Sequence, residues 1–577
     1  MQNKRWILYP KKSDDIVDQL LINRGIDPKY KDQFLNPEFY SGTFGVKNFP
    51  GISTAVKRIK KSMEKKEKIG VFADYDADGV PGAAILKKLF ELLKIKSEIY
   101  IPTRAEGYGL NETGIRYFKE KGCSLMVTVD LGIVNCDKVK LAKDLGIDVI
   151  ITDHHEIQKD KLPLDALAIV HPRLDKSKYP NPYLSGGAVA WKLAWACLKE
   201  IKGEKYLTYA KWWLDLAALT LVCDNMVVTG DGNNLENRVL IKYGINILSK
   251  TKNIGLKKLY DIASIDPKSI NTYTIGFQIG PRINAPGRMD HAGPSYYLLV
   301  SEDHIEAQEI AKKLDKLNST RQDELNKILK KTKEIVKQKK LDKKKIILIS
   351  GKNWNPGILG LVAGKLMEQY VRPVIVCRED DKILHGSARS ISELDILSVL
   401  KECEQLLLGF GGHKMAAGLT FRKENFDKLY SKLERIANKK IKDEYLEPKI
   451  KIDAQINSDK INYKLYNVLN KFEPFGIGNP RPSFLLKNVE ILSIRSVGKE
   501  DRHLKMRVSK ESNESKVSHG MDTKNYLDCI GFGIGSLKDK LNVRDRVDIV
   551  FSIDENVWNG NRKLQLKIVD IKKFKIS

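Results

Sequence analysis

Ile69-Gly-Val-Phe-Ala73 runs directly into Asp74-Tyr-Asp-Ala-Asp-Gly79, so a short apolar stretch ends on three carboxylates. The stretch reads as a buried strand, and Gly82 to Lys94 behind it as a helix. The same alternation continues outward. Glu98–Ile101, Leu125–Val129, Asp148–Thr152 and Leu167–Val170 are further strands with helical stretches between most of them, and Trp191–Ile201 and Trp212–Leu221 are later helices. Strand–helix alternation predicts an α/β fold with a parallel sheet covered on both faces.

The ends of these strands carry the chemistry. Asp74, Asp76 and Asp78 follow the first strand, Asp130 follows Leu125–Val129, and Asp153-His154-His155 follows Asp148–Thr152. Side chains just past the carboxyl ends of parallel strands converge on one crevice. Carboxylates gathered there cannot all stay ionised without cations between them. The pattern predicts a centre of two divalent ions, and mixed carboxylate and imidazole donors favour Mn²⁺ or Mg²⁺. A calcium loop also begins Asp-x-Asp-x-Asp-Gly, but it needs Glu at position 12 and a preceding helix. Here position 12 is Ile85 and a strand precedes. His154 and His155 could be plain surface residues elsewhere; following the apolar strand Asp148–Thr152, they belong with the acidic strand ends.

Farther along, Ile310, Leu314, Leu317, Leu325, Ile328, Thr332 and Ile335 keep a helical period. A helix over 303–340 would reach roughly 55 Å at about 1.5 Å per residue and reads as a spacer between two bodies. Between Lys312 and Lys345 the chain has 14 Lys/Arg against 5 Asp/Glu, which suits a solvated face. An α/β pattern restarts at Lys345-Ile-Ile-Leu-Ile349 and lasts to about 445. Ser483–Ser493, His503–Val508, Tyr526–Gly531, Val547–Phe551 and Leu564–Val569 then read as short strands of a small OB-type barrel, with a small sandwich as the alternative. Expected domains are a helical lead-in over 1–47, a catalytic domain over 48–300, a connecting helix over 301–344, a second α/β domain over 345–445 and the barrel over 446–577.

With 577 residues the chain needs several cores, and 42% hydrophobic residues suffice to build them. The net charge of +27 points to a polyanionic partner, although lysine-rich coding alone would also produce it. Seven scattered cysteines without C-x-x-C spacing read as free thiols of a reducing cytosol. No run of about 18 apolar residues predicts a membrane span, and the start lacks the apolar core of a signal peptide.

Asp74–Gly79, Ile101-Pro-Thr-Arg-Ala-Glu-Gly-Tyr-Gly109, Val129-Asp-Leu-Gly132 and Thr152-Asp-His-His155 resemble, in order and spacing, the four motifs of the DHH phosphoesterases; the second has the length found in the RecJ branch. Leu221-Val-Cys-Asp224 resembles the family's further metal aspartate, and Ile279–Arg288 its arginine motif. Gly386-Ser-Ala-Arg-Ser390 and Gly411–Gly418 resemble the DHH-associated domain, and Glu473–Pro480 the entry to the OB domain. The resemblance spans about 45 to 577. It implies a single-stranded-DNA exonuclease of 5′→3′ polarity releasing mononucleotides in DNA repair and recombination. Asp76, Asp78, Asp130, His154 and Asp224 would bind two metals, with Asp130 bridging. Asp74, Asp153 and His155 would be catalytic, His155 facing the scissile phosphate. Arg104, Arg282, Asn284, Arg288, Ser387, Arg389 and His413 would hold DNA and its phosphates. The implied partners are single-stranded DNA, a helicase and a single-strand-binding protein, around a cytoplasmic monomer.

The chain departs from the family pattern at Leu131 (Cys or Asn is usual), at Asn355 (His) and at Pro286 (Ala). Asn355 puts contacts to the terminal nucleotide in question; no metal ligand is lost. A DHH-type pyrophosphatase would need no barrel and would carry His where Phe72 stands. A short-oligonucleotide or cyclic-dinucleotide phosphodiesterase is the nearer alternative, and an inactive scaffold relative would have lost ligands that are all present here.

Overall fold

The apolar run before Asp74 forms strand β1 (Lys68–Ala73), buried from Ile69 onward on both faces, as a central parallel strand must be. In the computed structural model, residues 4–175, 177–230, 232, 234–509, 526–558 and 560–574 are described. The first residues of the expected lead-in and residues 510–525 of the expected barrel lie outside them. β1 is flanked by β2 (Ser97–Tyr100) and β3 (Cys123–Val129), followed by β4 (Asp148–Thr152) and β5 (Ala168–Val170), in the order β2-β1-β3-β4-β5. Every pairing is parallel. The connections leaving β1 and β3 run to opposite sides, so the switch point of the sheet lies between Asp74 and Asp130.

Helix α1 (Gly79–Leu92) begins three residues before the expected Gly82, because the Asp76 carboxylate accepts from the N–H groups of Asp78 (2.8 Å) and Gly79 (3.2 Å) and turns the chain at once. α1 packs on α2 (Gly186–Cys197) through glycine: a β-carbon on Gly82 would lie 2.8 Å from the Gly187 α-carbon. Two bare backbones in contact bring the first turn of α2 beneath the metal loop. The expected helix Trp191–Ile201 is thus displaced toward the N-terminus and ends in a π-helical turn, Leu198–Lys202. α3 (Leu214–Cys223) and α4 (Gly280–Met289) complete the surroundings of the site.

The long helix exists as α5 (His304–Gln338), but it is no bare spacer. Its buried stripe runs Ala307, Ala311, Leu314, Asn318, Arg321, Leu325, Ile328, Thr332 and Val336, turned from the expected Ile310–Leu317 line. The stripe packs along both α/β sheets' helices, including α4 and α6 (Pro356–Tyr370). The second sheet follows the order β9 (Gly409–His413), β10 (Ala416–Arg422), β8 (Ile383–Arg389), β7 (Val374–Asp380), β6 (Ile347–Lys352), with only β6 and β7 parallel. Residues Phe44–Met226 and Leu240–Pro448, both lobes together, form one compact unit.

The second unit gathers Lys4–Thr43, Val227–Val239 and the chain from Lys449 onward. All five expected strands are present as β11 (Phe484–Val497), β12 (His503–Ser509), β13 (Tyr526–Gly531), β14 (Arg546–Trp558) and β15 (Asn561–Lys573). Their order β11-β12-β13-β15-β14 closes through β14–β11 pairing, and β13–β15 is parallel. That is a closed OB-type barrel, which removes the sandwich alternative. The lead-in is not separate. Arg5–Leu8 pairs in parallel with Lys449–Ile452, and Leu20, Leu21 and Phe34 are buried in the barrel's core cluster. Arg238, fully buried, donates to the carbonyls of Phe34, Lys471, Phe472 and Glu473, and its guanidinium lies 3.9 Å from the Phe34 ring centre. No helix among the described residues is long and apolar enough to cross a membrane.

Candidate metal centre

The loop after β1 is held from three directions. Asp76 caps its own turn, Asn284 of α4 accepts from Ala77 N–H at 2.9 Å, and Asp78 receives Gly186 N–H (2.7 Å) and Gly187 N–H (2.8 Å), one on each oxygen. The positive end of α2 therefore faces Asp78. Only glycine fits there: a β-carbon on Gly187 would lie 2.5 Å from Thr220 Cγ2, and one on Gly186 would meet the Asp130 side chain.

Around this loop three groups of donor atoms lie within mutual ligand reach: Asp74, Asp76 and Asp130; Asp78, His154 and Asp224; and Asp130, His154 and His155. Asp130 belongs to two of them. It adopts φ +65, and its N–H is tied to Thr152 O at 2.9 Å, which turns its carboxylate from the end of β3 across the switch point. His154 Nε2 lies 3.2 Å from Asp130 Oδ1, 3.4 Å from Asp224 Oδ2 and 3.8 Å from Asp78 Oδ2. Asp224 caps the C-terminus of α3.

Four of these buried atoms, Asp74 Oδ1, Asp130 Oδ1, His154 Nε2 and Asp224 Oδ2, have no hydrogen-bond partner among the described residues. Buried polar atoms are rarely left so, and four aimed at one space fit bound cations. The electrostatics agree. Burial and then the neighbouring carboxylates push Asp74, Asp130 and Asp224 well above the usual range, and Asp78 to about 6. Burial and the His155 charge drive His154 down to about 3, leaving it neutral, as a ligand imidazole must be.

Asp153 does not join the cluster. Its Oδ1 accepts from the N–H groups of His154 (2.7 Å) and His155 (3.1 Å) and from His155 Nδ1 (2.8 Å), and its Oδ2 from Ile133 N–H (3.0 Å). Both oxygens are spent inside the protein, so Asp153 positions the two histidines rather than reacting. Against the effect of burial, the bond to Asp153 and the surrounding carboxylates raise His155 to about 9. Further positioning groups carry no spacing signal. The Tyr108 hydroxyl sits 3.1 Å from His155 Nε2, Arg173 bonds the His154 carbonyl, and buried His171 bonds the His155 carbonyl at 2.9 Å.

The expected phosphate residues divide. From the second lobe, His413 stacks on His155 with ring centres 6.1 Å apart. Ser387 and Arg389 end β8 beside Gly360 of α6, and among the described residues Arg389 has no carboxylate partner, bonding the Ala388 carbonyl and the Ser387 hydroxyl. Arg104 bonds Gly287 O at 2.7 Å and covers the Tyr75 ring, while Arg288 bonds Gly357 O at 3.2 Å. Arg282, by contrast, is paired with Asp315 of α5 at 2.9 Å. Asn284 is spent on the Ala77 N–H and shapes the metal loop. Buried Arg321 of α5, which the sequence did not single out, bonds only Asn318 and adds positive charge near Arg288. Of the departures, Leu131 is buried core, Pro286 lies inside α4, and Asn355 caps α6.

Comparison with known proteins gives three family-model matches: DHH family N-terminal domain over 68–221, DHHA1 domain over 342–439 and RecJ OB domain over 452–570. The single-stranded-DNA-specific exonuclease RecJ of Bacillus subtilis is 38% identical over 96% of this chain and 67% of its own length. That of Haemophilus influenzae is 32% identical over 90% of each. The structure of RecJ from Thermus thermophilus in complex with Mn²⁺ superposes with a TM-score of 0.81 at 25% identity, covering 99% of this chain and 80% of that one.

Proposed function

The chain belongs to the RecJ family of single-stranded-DNA-specific exonucleases, and on that premise we propose that it hydrolyses single-stranded DNA from the 5′ end to mononucleotides, as a cytoplasmic monomer in DNA repair and recombination. It is a metal-dependent phosphodiesterase. The observation that carries this reading is the ring of four unpartnered buried ligand atoms.

Asp76, Asp78, Asp130, His154 and Asp224 would hold two divalent ions, Mn²⁺ or Mg²⁺, with Asp74 alongside. When bound, these ions lower the pKa of water and stabilise charge on the phosphoryl oxygens. His155, fixed through Nδ1 by Asp153, presents Nε2 toward the scissile phosphate with Tyr108 beside it. Arg389 and Ser387 take a 5′-terminal phosphate, with Arg104 and Arg288 supporting, since arginine binds phosphate bidentately. A helicase that supplies unwound strands and a single-strand-binding protein are the partners this chemistry calls for. End-labelled single strands of DNA and RNA, incubated with Mn²⁺ or Mg²⁺, test the reading. It requires mononucleotides released from the 5′ end of DNA; preferential turnover of dinucleotides would favour the short-oligonucleotide alternative instead.

A further inference from the structure

Behind Arg104 and Arg288 lies a cavity of about 920 Å³, within the range of small-ligand sites. Its walls add Lys327 and Lys331 of α5, Lys352 at the end of β6 and Arg378 of β7. Asp290 and Glu324 also line it, so cations outnumber carboxylates. Among the described residues, Lys327, Lys331 and Lys352 make no direct salt bridge, although Lys352 lies in register with Glu379 and interacts with its charge, whereas Arg378 pairs with Asp380. The cavity also reaches the N-terminus of the 15-residue α6, through Asn355, Pro356 and Gly357. The Asn355 side chain accepts from Gly357 N–H there and Pro356 has no N–H, so the helix end adds the positive pole of its dipole rather than free donors. Unpaired cations from two elements, aimed into one concavity at a helix N-terminus, fit more phosphate than a single terminal group carries.

We propose that this cavity is a binding site for a nucleoside 5′-polyphosphate, carried either on the end of a strand or free in solution. The strand source rests on the 5′-end reading above; the free source does not. Lys327, Lys331 and Lys352 would contact the outer phosphates, beyond the one assigned to Arg389.

Binding of the full-length protein to short oligothymidylates bearing 5′-monophosphate or 5′-triphosphate, measured by fluorescence anisotropy in EDTA, tests this. The triphosphate should bind about tenfold more tightly. In a Lys327→Ala/Lys331→Ala/Lys352→Ala variant that preference should vanish, with monophosphate affinity and hydrolysis of monophosphorylated strands unchanged. Competition by inorganic tripolyphosphate and ATP separates the sources. Competition lost in the triple variant assigns free nucleotides to the site; triphosphate preference without competition assigns the strand end. Equal binding of both oligonucleotides together with no competition overturns the proposal, as does a preference that the triple variant keeps. Failure of the wild-type protein to degrade monophosphorylated strands would sink the exonuclease reading alone, because the binding test needs no turnover.

Discussion

Gly186 lies so close beneath Asp130 that a β-carbon there would sit 2.5 Å from the Asp130 β-carbon, while its N–H holds Asp78 at 2.7 Å. One small residue thus fixes carboxylates from two strand ends. Gly186→Ala should push Asp130 from its place and weaken Mn²⁺ affinity by about 10–100-fold, the range for residues that orient metal ligands. Calorimetric titration with Mn²⁺ checks this, and unchanged affinity would show that the loop yields.

Asp130→Ala should abolish turnover, because Asp130 stands in two of the three donor groups. Metal-free, the variant should melt no lower than wild type, since one member of a buried, mutually repelling set is gone. The rise in Tm that Mn²⁺ gives wild type should disappear. Near-normal rates under excess Mn²⁺ would remove the shared-ligand assignment.

Arg389→Ala should cost about 1–3 kcal/mol on 5′-phosphorylated ends, as for loss of a charged hydrogen bond, and much less on 5′-hydroxyl ends. Arg282→Ala should cost less than Arg389→Ala, because Asp315 already neutralises Arg282. Comparison of kcat/KM on the two substrates decides, and equal losses on both would rule out the anchor.

The barrel exposes Phe532 beside His503 and Lys567, with Arg495, Lys505 and Arg507 lining the neighbouring groove. Bases stack on such rings while lysine and arginine follow the backbone. Lys505→Ala should flatten the salt dependence of binding to long strands by about 0.7 in slope for a lost phosphate contact. Phe532→Ala should weaken binding without changing the slope. Cutting the chain after Glu447 is the poorer experiment, because it strips the cover from Leu20, Leu21 and Phe34.

Asp215, buried at the start of α3, is raised to about 6 by burial, although Thr251 and the Leu216 N–H hydrogen-bond it. A carboxylate raised above its unfolded value favours folding below about pH 4 and loses that contribution as pH climbs through 6. Two pH units correspond to about 3 kcal/mol. Denaturant melts of wild type and Asp215→Asn should therefore diverge across this window, with wild type losing the more stability. Parallel curves would count against a neutral Asp215.

The proposed metal-ligating cluster was legible because strand ends announce themselves: an apolar run stops and charge begins, as at Ala73-Asp74 and Thr152-Asp153. The same signal could not separate Asp153, whose oxygens turn inward, from His154, whose Nε2 faces Asp130 and Asp224. Tyr108, His171 and Gly186 act through contacts made only after folding, so no period marks them. The stripe of α5 was legible at Leu314, Leu325, Ile328 and Thr332, but Asn318 and Arg321 also lie on its buried side, and a polarity pattern assigns such residues to solvent. Within the lead-in, read from sequence as helical, the strand Arg5–Leu8 went unread for a different reason: it finds its partner at Lys449–Ile452, beyond any local window.

That last pairing bears on how the protein is made. Leu20, Leu21 and Phe34 leave the ribosome well before Phe472 and the barrel strands that pack over them. At about 5–20 residues per second the intervening chain takes on the order of 20–80 s to synthesise. During that interval this apolar surface lacks its barrel cover, although Leu235 and Arg238, which pack against the same segment, are already made. Residues 17–34 therefore complete their packing only once the barrel strands have been made.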